Sequence, residues 1–138
     1  PLFGWALYRL DMIYIDRSKR KEAWNKVAEQ GRMLMDQGNW VIMFPEGTRT
    51  VPGVDPAYKT GASRLGVATD AVLVPIAITS GRCWRRASFA LTPGTIDVAI
   101  GEPITCQGRS AEDAMHEVKE WVEAKMRELD PEPYRVKA

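Results

Sequence analysis

An uncharged apolar run, Trp40 to Phe44, leads directly into Pro45-Glu46-Gly47-Thr48-Arg49-Thr50. Gly38-Asn39 precedes the run and Pro45-Glu46-Gly47 follows it, so the pattern predicts a short buried strand. What comes after the strand constrains its use. A carboxylate, a glycine, a hydroxyl and a guanidinium stand in succession at its C-terminal end, where open α/β sheets bind ligands. An arginine at such a place suits a phosphate, because its planar fork can donate two hydrogen bonds to one oxyanion.

The remaining chain is read around that segment. At 138 residues the length predicts one domain able to bury a core. Its 19 Lys and Arg against 18 Asp and Glu give a net charge of +1, which argues against a bulk polyanion as partner. The aromatic residues do not interleave regularly with basic ones, so nucleic acid is not expected. The positive charge is clustered all the same. Arg17, Lys19, Arg20 and Lys21 form one group, and Arg82, Arg85 and Arg86 another. Cys83 and Cys106 are the only cysteines and His116 the only histidine. That set makes no zinc site and no disulfide framework, so we expect free thiols in a reducing compartment. No apolar run reaches the roughly 20 residues a spanning helix needs.

The periodicity predicts alternating helices and strands. Phe3 to Leu10 reads as a short helix or turn and Met12 to Ile15 as a strand ending at Asp16-Arg17. Ser18 is placed to cap a helix from about Lys19 to Gln37, with Trp24, Val27, Ala28, Leu34 and Met35 on one stripe and Gly38 closing it. A loop from Glu46 to Tyr58 follows, then a helix over Thr60 to Ala68 with Ala62, Leu65 and Ala68 inward. Ala71 to Thr79 reads as a strand in which Pro75 implies an edge or a bulge, since proline cannot donate to the ladder. Thr95 to Ile100 is a further strand. Ser110 and Asp113 open the last helix with a capping-box spacing, and Met115, Val118, Val122, Met126 and Leu129 form its buried stripe. This order predicts an α/β fold: one layered domain with a mostly parallel or mixed sheet covered by helices.

Two features admit two readings each. The basic start of the first long helix is either a solvated terminus or an anion site, because cations there oppose the helix dipole unless an anion is near. Glu46-Gly47-Thr48-Arg49 is either a turn closed by an internal Glu–Arg pair or a substrate pocket, to which Lys59 could bring a further cation. A Ser-x-x-Lys match at Ser18 and Lys21 with Lys59-Thr60-Gly61 lacks the middle Ser-Asp-Asn motif of penicillin-binding enzymes and is rejected. No phosphate loop or dinucleotide fingerprint is present. His116 lies beside the apolar stripe of the last helix near Glu117 and Glu120, and reads as a surface residue.

Together these segments resemble the glycerolipid acyltransferases, and among them the bacterial 1-acyl-sn-glycerol-3-phosphate acyltransferases. Ile13-Tyr14-Ile15-Asp16-Arg17 matches the block ending in Ile-Asp-Arg. Phe44 to Thr50 matches Phe-Pro-Glu-Gly-Thr-Arg-Ser, with Thr50 keeping the last hydroxyl. Tyr58-Lys59-Thr60-Gly61 is similar to Phe-Lys-x-Gly, Val74-Pro75-Ile76 to the apolar Val-Pro-Ile strand, and Ile100-Gly101-Glu102-Pro103-Ile104 to Ile-Gly-x-Pro-Ile. The family's His-x-x-x-x-Asp block has no counterpart: His116 stands after the other motifs and is followed five residues on by Trp121. We expect that block to lie upstream of Pro1, so that residues 1–138 are the C-terminal part of an acyltransferase domain.

The resemblance implies acyl transfer from acyl-CoA or acyl carrier protein to the free hydroxyl of lysophosphatidic acid, giving phosphatidic acid. Glycerol-3-phosphate acylation, phospholipid remodelling and a non-catalytic lipid-phosphate-binding role are the alternatives. It assigns no catalytic residue to this chain. Arg17, Glu46, Gly47, Thr48, Arg49 and Lys59 would bind or shape the pocket for the acceptor, supported by Asp16, Pro45, Thr50 and Pro75. It implies no metal and no cofactor. The expected location is a membrane surface, at the cytoplasmic face of the bacterial inner membrane; the apolar Pro1 to Leu10 segment, with Trp5 and Tyr8, either touches the lipid or packs under an N-terminal part of the protein.

Overall fold

A computed structural model of the chain describes Trp5, Arg9 and residues 20–51, 53–85 and 87–134. They fall into two compact units, Pro1–Ile42 and Met43–Ala138. In the first, Trp5 and Arg9 are helical and exposed. The rest of Phe3 to Leu10, the strand expected over Met12 to Ile15, and Asp16, Arg17 and Ser18 lie outside the described residues. Helix α1 spans Arg20–Asp36. Val27 is buried, and Trp24, Ala28, Leu34 and Met35 are half-buried on the predicted stripe. The helix closes as expected at Gly38, whose φ is +83°. Gly38 N–H donates to Met35 O at 2.9 Å and Asn39 N–H to Leu34 O at 3.0 Å, the paired bonds that satisfy the last carbonyls of a helix.

Among the described residues Trp40 to Phe44 forms no backbone ladder, so the strand expected there is not formed among them. Trp40, Ile42 and Phe44 are 82, 78 and 75% exposed, while Val41 and Met43 are half-buried. The exposure thus alternates as along an extended chain. An apolar run reports that its residues suit a buried setting; a strand also requires a paired backbone, and no described segment supplies one.

The second unit contains α2 (Gly61–Thr69), β1 (Ile76–Ile78), β2 (Val98–Ile100) and α3 (Ala111–Leu129), with short 3₁₀ turns at Ser80–Arg82 and Glu132–Tyr134. In α2 the buried positions are Ser63, Leu65 and Gly66. Ala68, expected to face inward, is exposed, and Ala62 is half-buried. β1 and β2 pair antiparallel, Ile76 with Ile100 and Ile78 with Val98. The larger, mostly parallel or mixed sheet expected from the sequence is not formed among the described residues.

Both predicted strands are shorter than their apolar patterns, for identifiable reasons. Leu73 bridges Ile104, but two residues separate Leu73 from Ile76 while three separate Ile100 from Ile104. The extra residue is a bulge opposite Val74-Pro75, the outcome expected of a proline near a ladder. At the other end, Thr79 N–H donates to Asp97 O at 3.0 Å. Asp97 N–H then donates to the Thr79 hydroxyl at 2.8 Å, so a side chain takes the place of the next carbonyl.

The core joins one sheet face to α3. Ala77, Ile104, Met115, Val118 and Val122 are buried, with Tyr58, Ala62, Leu73, Ala99, Trp121, Met126 and Leu129 packed against them. Gly101 is required by close approach: a Cβ there would lie 2.7 Å from the Trp121 ring and 2.8 Å from Pro75 Cγ. The opposite sheet face leaves Ile76, Ile78, Val98 and Ile100 exposed. Ser110 caps α3 as predicted. Its hydroxyl accepts from Asp113 N–H at 3.0 Å and donates to Asp113 Oδ2 at 2.7 Å.

Candidate functional site

The segment after Phe44 turns back on itself. Gly47 N–H donates to Phe44 O at 3.0 Å, and Gly47 has a φ of +69°, a conformation that strains any residue with a side chain. Lys59 N–H donates to Pro45 O at 2.9 Å, which ties the turn to the approach of α2. The Lys59 side chain lies over the glycine: a Cβ added at Gly47 would stand 2.6 Å from Lys59 Nζ. Two motifs separated in sequence therefore meet, an ammonium against the bare backbone of the Pro-Glu-Gly turn. Helix α2 begins two residues beyond Lys59, so its positive dipole end faces the same region of chain.

Tyr58 holds this arrangement to α3. Its hydroxyl donates to Glu123 Oε1 at 3.2 Å, and the Lys119 ammonium lies 6.0 Å from the centre of its ring. Burial raises the Tyr58 phenol well above its usual range, with the negative charges of Glu46 and Glu123 adding to the shift. Glu123 is only 6% exposed. Its Oε2 has no hydrogen-bond partner among the described residues, and burial raises its carboxyl above the usual glutamate range. The tyrosine that departs from the family's Phe-Lys-x-Gly thus has a use for its hydroxyl.

Arg49 is exposed. Its guanidinium carbon sits 4.0 Å from the centre of the Trp84 ring. Among the described residues no ion pair joins it to Glu46, so the turn is not closed by an internal Glu–Arg pair. Arg82, by contrast, is fully engaged. It lies 3.1 Å from Asp97 Oδ2 and 3.0 Å from Asp130 Oδ1 and donates to Leu129 O, which fastens the C-terminus of α3. The Arg82, Arg85 and Arg86 cluster is therefore not one surface of equivalent charges: Arg82 is structural, Arg85 is exposed, and Arg86 lies outside the described residues.

The predicted site residues divide accordingly. Pro45, Gly47 and Lys59 are brought together, and Glu46 bears electrostatically on Tyr58. Thr48 and Thr50 are exposed on the loop, while Pro75 is buried in the sheet, where its carbonyl accepts from Gly101 N–H at 2.9 Å. Asp16 and Arg17 lie outside the described residues. His116 is exposed on α3, 3.4 Å from Glu120. It helps line a cleft of about 350 Å³ with Asp55, Lys119, Glu120, Glu123 and Arg127, none of them from the Phe44–Thr50 turn. Trp84 and Glu123 were not singled out from sequence, because no spacing rule links position 49 to 84 or 58 to 123. The available signals were a tryptophan beside two arginines and a carboxylate next to the apolar stripe of α3.

Comparison with known proteins bears on the same segments. The family described as Acyltransferase matches residues 1–79, a stretch that includes Asp16-Arg17, the Phe44–Thr50 turn, Lys59 and Pro75. The 1-acyl-sn-glycerol-3-phosphate acyltransferase of Pseudomonas aeruginosa is 38% identical over 139 residues, covering 99% of this chain and 54% of that protein. The human 1-acyl-sn-glycerol-3-phosphate acyltransferase alpha is 31% identical over 113 residues, covering 80% of this chain and 39% of its own length. The crystal structure of the 1-acyl-sn-glycerophosphate (LPA) acyltransferase PlsC from Thermotoga maritima superposes with a TM-score of 0.76 at 27% identity, covering 94% of this chain and 52% of that one. The chain thus spans about half the length of the bacterial relatives it matches. With a family match over more than half of its residues and 38% identity over nearly all of them, the chain belongs to the acyltransferase family.

Proposed function

We propose that the protein carrying this chain transfers an acyl group from acyl-CoA or acyl carrier protein to the free hydroxyl of lysophosphatidic acid, giving phosphatidic acid. The observation that carries this reading is the 38% identity, over 99% of the chain, to a protein named for that acceptor. The turn at Phe44–Thr50 supports it chemically. Arg49 offers a forked donor and Lys59 a point charge against Gly47, a pairing suited to a phosphomonoester dianion. Arg17 is the third cation of this reading, with Asp16 beside it. Glu46 and Thr48 shape the turn, and Thr50 and Pro75 support it from the loop and the sheet.

In the reaction the acceptor oxygen bonds to the thioester carbonyl carbon, the carbon–sulfur bond breaks, and the thiol leaves. The hydroxyl proton goes to a base, help worth roughly 10²–10⁴-fold in rate. The chain's single histidine is exposed and faces Glu120, so we assign the base to no residue of this chain. Its part is to grip and orient the phosphate end.

Because acceptor and product are lipids and the donor is water-soluble, we propose that the protein works at a membrane surface, on the cytoplasmic face of the bacterial inner membrane. No helix among the described residues is long and apolar enough to cross a membrane. The test is a steady-state assay of the complete gene product with palmitoyl-CoA and either lysophosphatidic acid or glycerol 3-phosphate, with the lipid product identified by mass spectrometry. The reading requires phosphatidic acid from the first acceptor at a much higher kcat/KM. Preferred acylation of glycerol 3-phosphate would overturn it.

A further inference from the structure

We propose that Trp84 is the positioning residue for Arg49: its indole face carries the guanidinium and sets its plane, leaving the N–H edges to grip the acceptor's phosphate. The proposal rests on the reading that Arg49 binds that phosphate.

The need for a platform follows from where Arg49 stands. It is exposed on a stretch without regular structure between Phe44 and Tyr58, and a long flexible side chain there loses much rotamer freedom when it is fixed. An ion pair would fix it but would occupy the donors. An aromatic face does not: a cation above a ring is held through the ring's quadrupole, and its edges stay available. The guanidinium carbon lies 4.0 Å from the Trp84 centroid, well inside the range of that attraction. Among the described residues Arg49 has no hydrogen bond or ion pair that would compete.

The platform is itself anchored. Trp84 Nε1–H donates to Ser88 O at 2.8 Å, and Trp84 N–H to Ser80 O at 2.9 Å. The Ser88 hydroxyl donates to Ala90 O and accepts from Ala90 N–H, both at 3.1 Å. Thr92 N–H donates to Cys83 O at 2.8 Å, closing the loop behind the ring. The turn Ser80–Arg82 that leads into Trp84 is fastened by Arg82 to Asp97 and Asp130. A continuous series of bonds therefore runs from the C-terminus of α3, through Arg82 and the turn, to the indole under Arg49. Trp84 is still 47% exposed, so a lipid-contacting role is the competing outcome.

The experiment uses the complete gene product with fluorinated tryptophans incorporated at position 84 alone, together with Trp84→Leu, Arg49→Ala and the double variant. Fluorination removes the ring's quadrupole while keeping its shape, so folding does not confound the result. The lysophosphatidic acid KM should rise stepwise with fluorine number, by about two- to fivefold in total, with the acyl-CoA KM unchanged. Trp84→Leu should add nothing once Arg49 is alanine. A flat response to fluorination would overturn the proposal. So would additive losses in the double variant, or weaker sedimentation of Trp84→Leu with anionic phosphatidylglycerol vesicles when Arg49 is already alanine. If Arg49→Ala itself leaves acceptor use unchanged, the phosphate reading fails; if only the Trp84 series is silent, this proposal alone fails.

Discussion

Arg49, Lys59 and Glu123 are polar side chains in very different settings, and each setting decides what the side chain can do. Lys59 lies against Gly47 because the glycine presents no side chain. The chemistry of the Phe44–Thr50 turn was legible in sequence, since residue types alone announce a carboxylate, a flexible backbone and a fork. The supports were not. Tyr58 finds Glu123 and Arg49 finds Trp84 across long sequence separations, and such contacts follow from tertiary packing.

Glu123 carries a prediction of its own. Burial raises its pKa in the fold, so the folded chain holds this proton more tightly than the unfolded one. Its contribution to stability is then fully present below the unfolded value and is lost as pH rises through the folded value. Glu123→Gln keeps an acceptor for Tyr58 and removes the buried charge. Thermal melts should show the variant melting above the wild type at pH 8, with the gap closing towards pH 4. A gap that widens on acidification would contradict the buried, proton-retaining carboxylate.

At the scale of elements, the sequence was most informative where one local rule suffices. The Ser110 cap, the Gly38 helix end and the apolar stripe of α3 all appear as expected. Strands were less legible because pairing is not local. Trp40 to Phe44 has a strand's composition without a described partner, and the ladder of β1 ends where the Thr79 hydroxyl intercepts Asp97. The cap gives a direct check. Ser110→Ala removes the acceptor for Asp113 N–H and should cost about 1 kcal/mol, or roughly 2–4 °C in melting temperature for a chain of this size. Ser110→Asp should recover most of it. An unchanged melting temperature in the alanine variant would mean that the start of α3 does not limit stability.

For the whole molecule, the proposed reading gives residues 1–138 the grip on the phosphate and assigns the base for the hydroxyl to none of them. The family's His-x-x-x-x-Asp has no match in residues 1–138, and His116 is exposed beside Glu120. The 138-residue polypeptide by itself should therefore release little thiol from acyl-CoA in the presence of lysophosphatidic acid, roughly 10²–10⁴-fold less than the complete gene product. Thiol capture with a chromogenic disulfide measures this directly. Comparable turnover by the two would place a working base within the chain. The apolar sheet face of Ile76, Ile78, Val98 and Ile100 also belongs to this scale: its alternation was readable, but what covers it is not a property of the strands.

The central claim is that the Phe44–Thr50 turn grips the phosphate of the acceptor, and kinetics of Arg49→Ala in the complete gene product test it most directly. Loss of a charge-assisted hydrogen bond costs about 1.5–3 kcal/mol, equivalent to about 10- to 100-fold in kcat/KM. The account predicts a fall of that size for lysophosphatidic acid, an acyl-CoA KM close to wild type, and only partial rescue by Arg49→Lys, which restores the charge without the fork. A raised acyl-CoA KM with unchanged use of lysophosphatidic acid would contradict it and assign Arg49 to the donor site.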